Sequence, residues 1–189
     1  MKNLKSIAVA LFLAVGTLSA TAQNKAIDVK KSSIKWVGKK VTGSHEGTVN
    51  FKSGTLALKG GKLSGGSFVI DMTSIAVTDL EAGKGKEKLE GHLKNDDFFG
   101  TDKYPTAKVD FKTVQAKPNN VYTVTADLTV KGKTAPVTFD ITLGKNTATT
   151  AFKIDRSKYD VKYNSKSFFE GLGDNVIYDD FEVAVNLAF

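Results

Sequence analysis

Val121-Tyr122-Thr123-Val124-Thr125-Ala126-Asp127-Leu128-Thr129-Val130, then Lys131-Gly132-Lys133-Thr134-Ala135-Pro136, then Val137-Thr138-Phe139-Asp140-Ile141-Thr142-Leu143, is the stretch that decides the fold. In its first part Tyr122, Val124, Ala126, Leu128 and Val130 fall at every second position, with Thr123, Thr125, Asp127 and Thr129 between them. In its last part Val137, Phe139, Ile141 and Leu143 alternate with Thr138, Asp140 and Thr142. Side chains on a strand point to opposite faces in turn, so each part is a strand with one apolar and one polar face. The Lys-Gly-Lys break is too short for anything but a tight turn, which makes the two strands antiparallel neighbours. The same period returns at the C-terminus, where Phe181, Val183, Val185, Leu187 and Phe189 alternate with Glu182, Ala184, Asn186 and Ala188.

Working outward, the pattern predicts eight strands, near 32–41, 45–59, 62–73, 106–117, 121–131, 135–144, 147–156 and 178–188. Gly60-Gly61, Pro118-Asn119-Asn120, Lys131-Gly132-Lys133 and Gly144-Lys145-Asn146 supply turns between successive strands. The connection 79–104 departs from the alternation. It holds helix formers, with Leu89 and Leu93 one helical turn apart, and predicts one short helix near 84–95 followed by a loop through Asp96-Asp97-Phe98-Phe99. A second irregular stretch, 157–177, is rich in Lys, Gly and Asn. The fold class is therefore all-β. Eight one-sided antiparallel strands bury that side best by closing into a barrel, which also removes exposed edges. Alternation leaves open which face points inward, because an eight-stranded outer-membrane barrel shows the same period with its apolar face toward lipid. Against that alternative stand one Trp and five Tyr, thin material for two aromatic girdles, together with the helix-bearing connection and the richness of the apolar faces in Phe.

The first 22 residues read as a signal peptide. Lys2 and Lys5 precede an apolar run from Ile7 to Val15, too short to span a bilayer, and Ala20-Thr21-Ala22 gives a small-residue cleavage pattern. The predicted mature chain, 23–189, is one domain, exported to the periplasm or secreted. The removed segment carries two Lys and no acid, so the formal charge of +7 falls by two. A modest positive charge favours solubility and a weak, transient attraction to anionic membrane surfaces. The lysines are scattered, which gives no nucleic-acid signal. There are no cysteines, so no disulfide staples the fold.

Five segments, in order, resemble a known family: Gly43-Ser44-His45-Glu46-Gly47; Phe68-Val69-Ile70-Asp71-Met72-Thr73-Ser74-Ile75; Leu89-Glu90-Gly91-His92-Leu93 with Asp97-Phe98-Phe99 and Tyr104-Pro105; Leu128-Thr129-Val130-Lys131-Gly132-Lys133-Thr134; and Phe152-Lys153-Ile154-Asp155-Arg156-Ser157. This order and spacing resemble the YceI-like family of bacterial periplasmic proteins over roughly residues 32–189. The resemblance implies a lipocalin-like barrel of eight antiparallel strands that binds a polyisoprenoid chain, such as a prenyl quinone or prenyl phosphate, in its interior. It departs from the family pattern in having Asp155 where Asn is common, Tyr159-Asp160 where a Gly often follows, and Ala126 where Gly is common. On this reading the expected lining is Trp36, Phe51, Phe68, Ile70, Phe111, Tyr122, Val124, Phe139, Phe152 and Phe181. A prenyl lipid is then the ligand, and no cofactor is required.

His45 and His92 are the only histidines and are candidates, with Arg156, for contacts to a polar head group. Each histidine also suits an ordinary structural role, and Arg156 suits an Arg–Asp pair at the rim. Neither histidine has a metal-ligating partner at a useful spacing, and no nucleophile motif or phosphate-binding loop is present, which argues against an enzyme. The rival to a carrier within this fold is an enzyme acting on an amphiphile in the pocket, for which one of the histidines would have to be essential.

Overall fold

The computed structural model describes residues 22–189, so the predicted signal peptide lies, but for Ala22, outside the described residues. Nine strands and one helix follow in order: β1 Ala22–Ala26, β2 Ser33–Lys40, β3 Gly43–Lys59, β4 Lys62–Val77, α1 Lys86–Lys94, β5 Thr106–Ala116, β6 Val121–Val130, β7 Lys133–Leu143, β8 Thr147–Asp155 and β9 Ile177–Ala188. Every pairing is antiparallel. The sheet runs β3-β2-β9-β8-β7-β6-β5-β4 and closes through a β3–β4 ladder, making an eight-stranded barrel. These eight are the strands predicted from the alternation.

The ninth strand, β1, is an addition. It pairs with the second half of β3, Ala22 opposite Lys59 and Ala26 opposite Thr55, while β2 takes the first half, Ile34 opposite Val49 and Lys40 opposite Gly43. Together β1 and β2 cover β3, which is too long for β2 alone. Four of the five β1 residues are exposed, so no one-sided alternation marks it in sequence. Strand β4 also continues to Val77, past the predicted end at 73. Its ladder to β3 jumps from Asn50–Asp71 to Thr48–Ala76, so extra residues of β4 bulge out there. The Ser74 hydroxyl accepts the N–H of Asn50 at 2.8 Å and restores the bond that the bulge removes.

The two ends of the barrel differ. The turns at Gly60-Gly61, 117–120 and 144–146 form one end, here the turn end. The β2–β3 and β6–β7 turns, the whole 78–105 connection and residues 156–176 gather at the other, the lid end. Gly60-Gly61 and Lys131-Gly132 both have positive φ at their two central positions, the backbone that two-residue hairpin turns require. Lys131 holds this conformation without being glycine. Its Nζ donates to the carbonyls of Asp96 (2.7 Å) and Asp160 (3.2 Å), which ties the turn to both lid segments.

The helix α1 lies within its predicted span. Gly85, in the left-handed region, precedes it, and Leu93 is buried with Leu89 packed at the core edge. Glu90 accepts the backbone N–H of Val77 at 2.9 Å and fixes the helix to the end of β4. In the lid, Asp155 caps the 3₁₀ turn Arg156–Tyr159 by accepting from Ser157, and Asp160 ends it in the left-handed conformation, φ 60°. That is the place where the family resemblance has glycine, and the backbone explains why.

Apolar side chains of all eight barrel strands point inward. The outer wall is polar and carries the pairs Lys112–Asp127, Lys117–Asp140 and Lys39–Glu182. That settles which face of the alternation is buried. A lipid-facing band would have to be apolar where this wall is charged.

Three substitutions test this packing. A Cβ at Gly47 would stand 1.9 Å from the Ala76 carbonyl oxygen and 2.5 Å from the Trp36 ring, whereas one at the exposed helix position Gly91 meets nothing within 4 Å. Gly47→Ala is expected to lose about 1–3 kcal/mol through overpacking, and Gly91→Ala to gain roughly 0.5–1 kcal/mol, read as shifts in urea midpoint. Tyr159 is 1% exposed and its hydroxyl has no hydrogen-bond partner. Burial pushes its pKa up to about 12. Because the unfolded tyrosine ionises near pH 10, this group's contribution is constant below that pH and declines as pH rises toward the folded value. Tyr159→Phe is therefore expected to be more stable by about 1 kcal/mol at neutral pH, with the gap widening above about pH 10. Equal stability at both pH values would contradict it.

Candidate functional site

The barrel encloses a cavity of about 190 Å³ whose lining is almost wholly hydrocarbon. Its wall is built around a chain of phenylalanines, each from a different strand. Phe51 of β3 packs on Phe68 of β4 (ring centroids 6.0 Å), Phe68 on Phe111 of β5 (5.6 Å), Phe111 on Phe139 of β7 (5.8 Å), and Phe139 stacks on Phe152 of β8 at 4.5 Å and 14°. Tilted and offset ring pairs are favourable beyond their buried area, so the rings brace one another along the wall. On the opposite side Trp36, Phe181 and Val183 continue the lining. The Trp36 indole N–H donates to the Thr48 carbonyl at 3.3 Å, leaving no unpaired donor on that ring.

Of the ten residues expected to line the interior, eight do so: Trp36, Phe51, Phe68, Ile70, Phe111, Phe139, Phe152 and Phe181. Tyr122 and Val124 point inward and are buried, but outside the cavity lining. They sit on the part of β6 next to the turn end, in packed core. The sequence pattern gives the face of a strand but not the depth at which the core gives way to open space.

At the lid end, Leu93, Phe98 and Phe99 hang over the cavity from α1 and the loop after it. Phe99 reaches Phe181 of the wall at 6.5 Å. Sequence reading placed Phe98 and Phe99 in a loop without assigning them to the lining. The available signal was a pair of large aromatics in a connection, which water would not tolerate unless they turned inward.

The three head-group candidates separate. His45 is on β3 at the lid end, where its Nδ1 lies 2.8 Å from Asp79 Oδ2, and it does not line the cavity. The Asp79 carboxyl sits below its ordinary pKa: partial desolvation raises it, but hydrogen bonds from His45 and the Glu46 N–H outweigh that. His92, on α1, meets Phe98 at 5.0 Å and Tyr163 at 4.3 Å, both edge to face, and so joins the two lid segments. It too lies outside the lining. Arg156 does line the cavity and is 3% exposed. Its guanidinium donates to the carbonyls of Tyr178 (3.1 Å), Val161 (2.9 Å) and Ile177 (2.9 Å), lies 3.5 Å from Asp179, and faces the Phe98 ring at 5.9 Å. Burial lowers its pKa from the usual arginine value, while Asp179 and Asp155 act in the opposite sense. The cavity's one charged side chain is thus engaged by the protein's own backbone and a carboxylate.

Gly38 has a special place in the lining. It occupies an inward position of β2 next to a register shift against β9, and a Cβ built there meets no atom within 4 Å. Tyr178, nearby at the start of β9, both lines the cavity and is 48% exposed. No group of three or more His, Cys, Asp or Glu that could hold a metal occurs among the described residues.

The family model of the YceI-like domain matches residues 26–189. A UPF0312 protein of Shewanella denitrificans is 33% identical over 92 residues, covering 49% of this chain and 46% of the relative. A UPF0312 protein of Staphylococcus epidermidis is 34% identical over 106 residues, covering 49% of this chain and 59% of the relative. The chain thus spans about half the length of the curated relatives it matches. Among solved structures, Burkholderia cenocepacia BcnA superposes with a TM-score of 0.69 at 23% identity, covering 86% of this chain and 99% of that one. A polyisoprenoid binding domain from Saccharophagus degradans superposes with a TM-score of 0.57 at 18% identity, covering 86% and 95%. These two share the fold. The motifs in sequence, the closed barrel and a family match running from Ala26 to the last residue agree: the chain belongs to the YceI-like domain family.

Proposed function

We propose that this protein is an exported, soluble carrier or store that holds the tail of a polyisoprenoid lipid, such as a prenyl quinone or prenyl phosphate, inside its barrel and performs no catalysis. The observation that carries this reading is the cavity itself: a hydrocarbon-lined space walled by five phenylalanines, whose one charged side chain, Arg156, is already engaged by backbone carbonyls and Asp179. An isoprenoid tail needs burial and shape and makes no hydrogen bonds. Burial is worth about 0.8 kcal/mol per CH₂, so each five-carbon unit offers on the order of 3–4 kcal/mol before the cost of ordering the chain. The similarity in fold to a domain described as polyisoprenoid binding supports the same ligand class. Export, to the periplasm or into the medium, rests on the signal-peptide pattern of the first 22 residues.

Organic extraction of the protein purified from its own host, followed by mass spectrometry, is expected to yield a prenyl lipid in stoichiometric amount. An extract without one, together with no saturable uptake of added prenyl quinone, would contradict the reading. Gly38→Phe gives the mutational test. A Cβ at this lining position meets no atom within 4 Å, so the ring is carried from there into the space a ligand would use. Uptake is expected to fall by about tenfold or more, equivalent to roughly two buried methylenes, with the thermal midpoint unchanged. Unchanged uptake would remove the cavity from the account.

A further inference from the structure

Among the described residues, seven large apolar side chains are exposed: Val29, Val41, Tyr104, Tyr163, Phe168, Phe169 and Tyr178. All but Val29 are at the lid end. Phe168 and Phe169 are 41% and 48% exposed, and they are held outward by an ordered turn. The N–H groups of both donate to the carbonyl of Ser165, which is fully buried, at 3.1 and 3.0 Å. The Ser167 hydroxyl ties the same turn to Asp179 of β9 at 2.6 Å. Val41 is fastened to this segment by its N–H on the Val176 carbonyl at 3.1 Å. A fixed turn presenting two adjacent phenylalanines to water is costly unless something covers them.

From this placement we infer that the lid end is a docking surface for a phospholipid bilayer, with Phe168 and Phe169 entering the interface. Two observations select a bilayer as the occupant. The patch adjoins the cavity at the lid end: Tyr178 is part of both, and its carbonyl accepts from Arg156 of the cavity lining at 3.1 Å. The side chains also have interfacial chemistry. Tyr163 and Tyr178 carry polar hydroxyls on apolar rings, Lys166 precedes the two phenylalanines in the same turn, and Lys162 holds its ammonium 5.2 Å from the Phe168 ring. Aromatics at the head-group level with lysines beside them are the pattern of a surface that lies on a membrane. The inference rests on the carrier reading, for which it supplies the route of ligand exchange: docked in this way, the protein passes a hydrocarbon tail between bilayer and barrel without exposing it to water.

The test is co-sedimentation with vesicles of equal parts phosphatidylglycerol and phosphatidylcholine. Wild type, the Phe168→Ser/Phe169→Ser double variant and Val29→Ser are compared, all with the same N-terminus, and uptake of prenyl quinone in vesicle-free buffer is measured in parallel. The expected result is partition weakened about tenfold or more in the double variant, no change in Val29→Ser, and uptake in buffer retained by all three. Wild type that does not partition, or a double variant that partitions as wild type does, overturns the inference. Wild type that takes up no prenyl quinone but still partitions through Phe168 and Phe169 upholds the docking surface and removes the carrier reading, so the two can fail separately.

Discussion

Closure of a single antiparallel sheet on itself is the constraint from which the rest of this structure follows. The β3–β4 ladder, from Gly47–Val77 to Lys59–Lys62, joins the two ends of the sheet, and the shortest seam of the barrel is β7–β8, paired from Ile141–Thr150 to Leu143–Ala148. With no cysteine available, that closure and the inward apolar faces stabilise the domain alone. Closing eight strands fixes the interior at a width that side chains fill only where they are large and well aimed. At the turn end residues such as Tyr122, Val124 and Leu56 fill it. Further toward the lid end the phenylalanines pack along the wall, ring against ring, and the space between the walls stays open.

An open apolar cavity is a cost to the empty protein, since the atoms that line it lack partners on one side. A hydrocarbon guest supplies those partners and stabilises the folded state by mass action. The same logic explains the treatment of polar groups. The Trp36 N–H and the Arg156 guanidinium are both turned to backbone carbonyls, so these donors are satisfied by the protein itself. The lid completes the enclosure. His92, Phe98 and Tyr163 lock its two segments together, and Lys131 secures both from below through Asp96 and Asp160.

Much of this was legible in the sequence where one physical rule dominated. The strict alternation of Val121–Leu143 specified β6, their turn and β7, because period-2 burial leaves no other solution. It could not say which face was inside, since a lipid-facing barrel obeys the same period; the charged outer pairs, formed across strands, resolve that only in three dimensions. Strand β1 escaped notice because it pairs through its backbone at the edge of an over-long β3 and buries little. The extension of β4 was hidden by a bulge that interrupts the period at Thr73-Ser74. Within the site, Phe139 and Phe152 were readable as inward residues, but the exclusion of Tyr122 and the inclusion of Phe98 depend on where along the axis the lumen opens. The part played by Gly38 is an absence of side chain, which carries no pattern at all.

The central claim is that the lumen takes up an isoprenoid tail, and the protein contains its own reporter. Trp36 is the single tryptophan and lies in the cavity wall. The most direct measurement is therefore a fluorescence titration of Trp36 with a prenyl quinone and with the same quinone ring lacking its tail. Saturable quenching by the prenylated compound and none by the bare ring is the predicted result. No saturable change, or an equal response to both compounds, would contradict it.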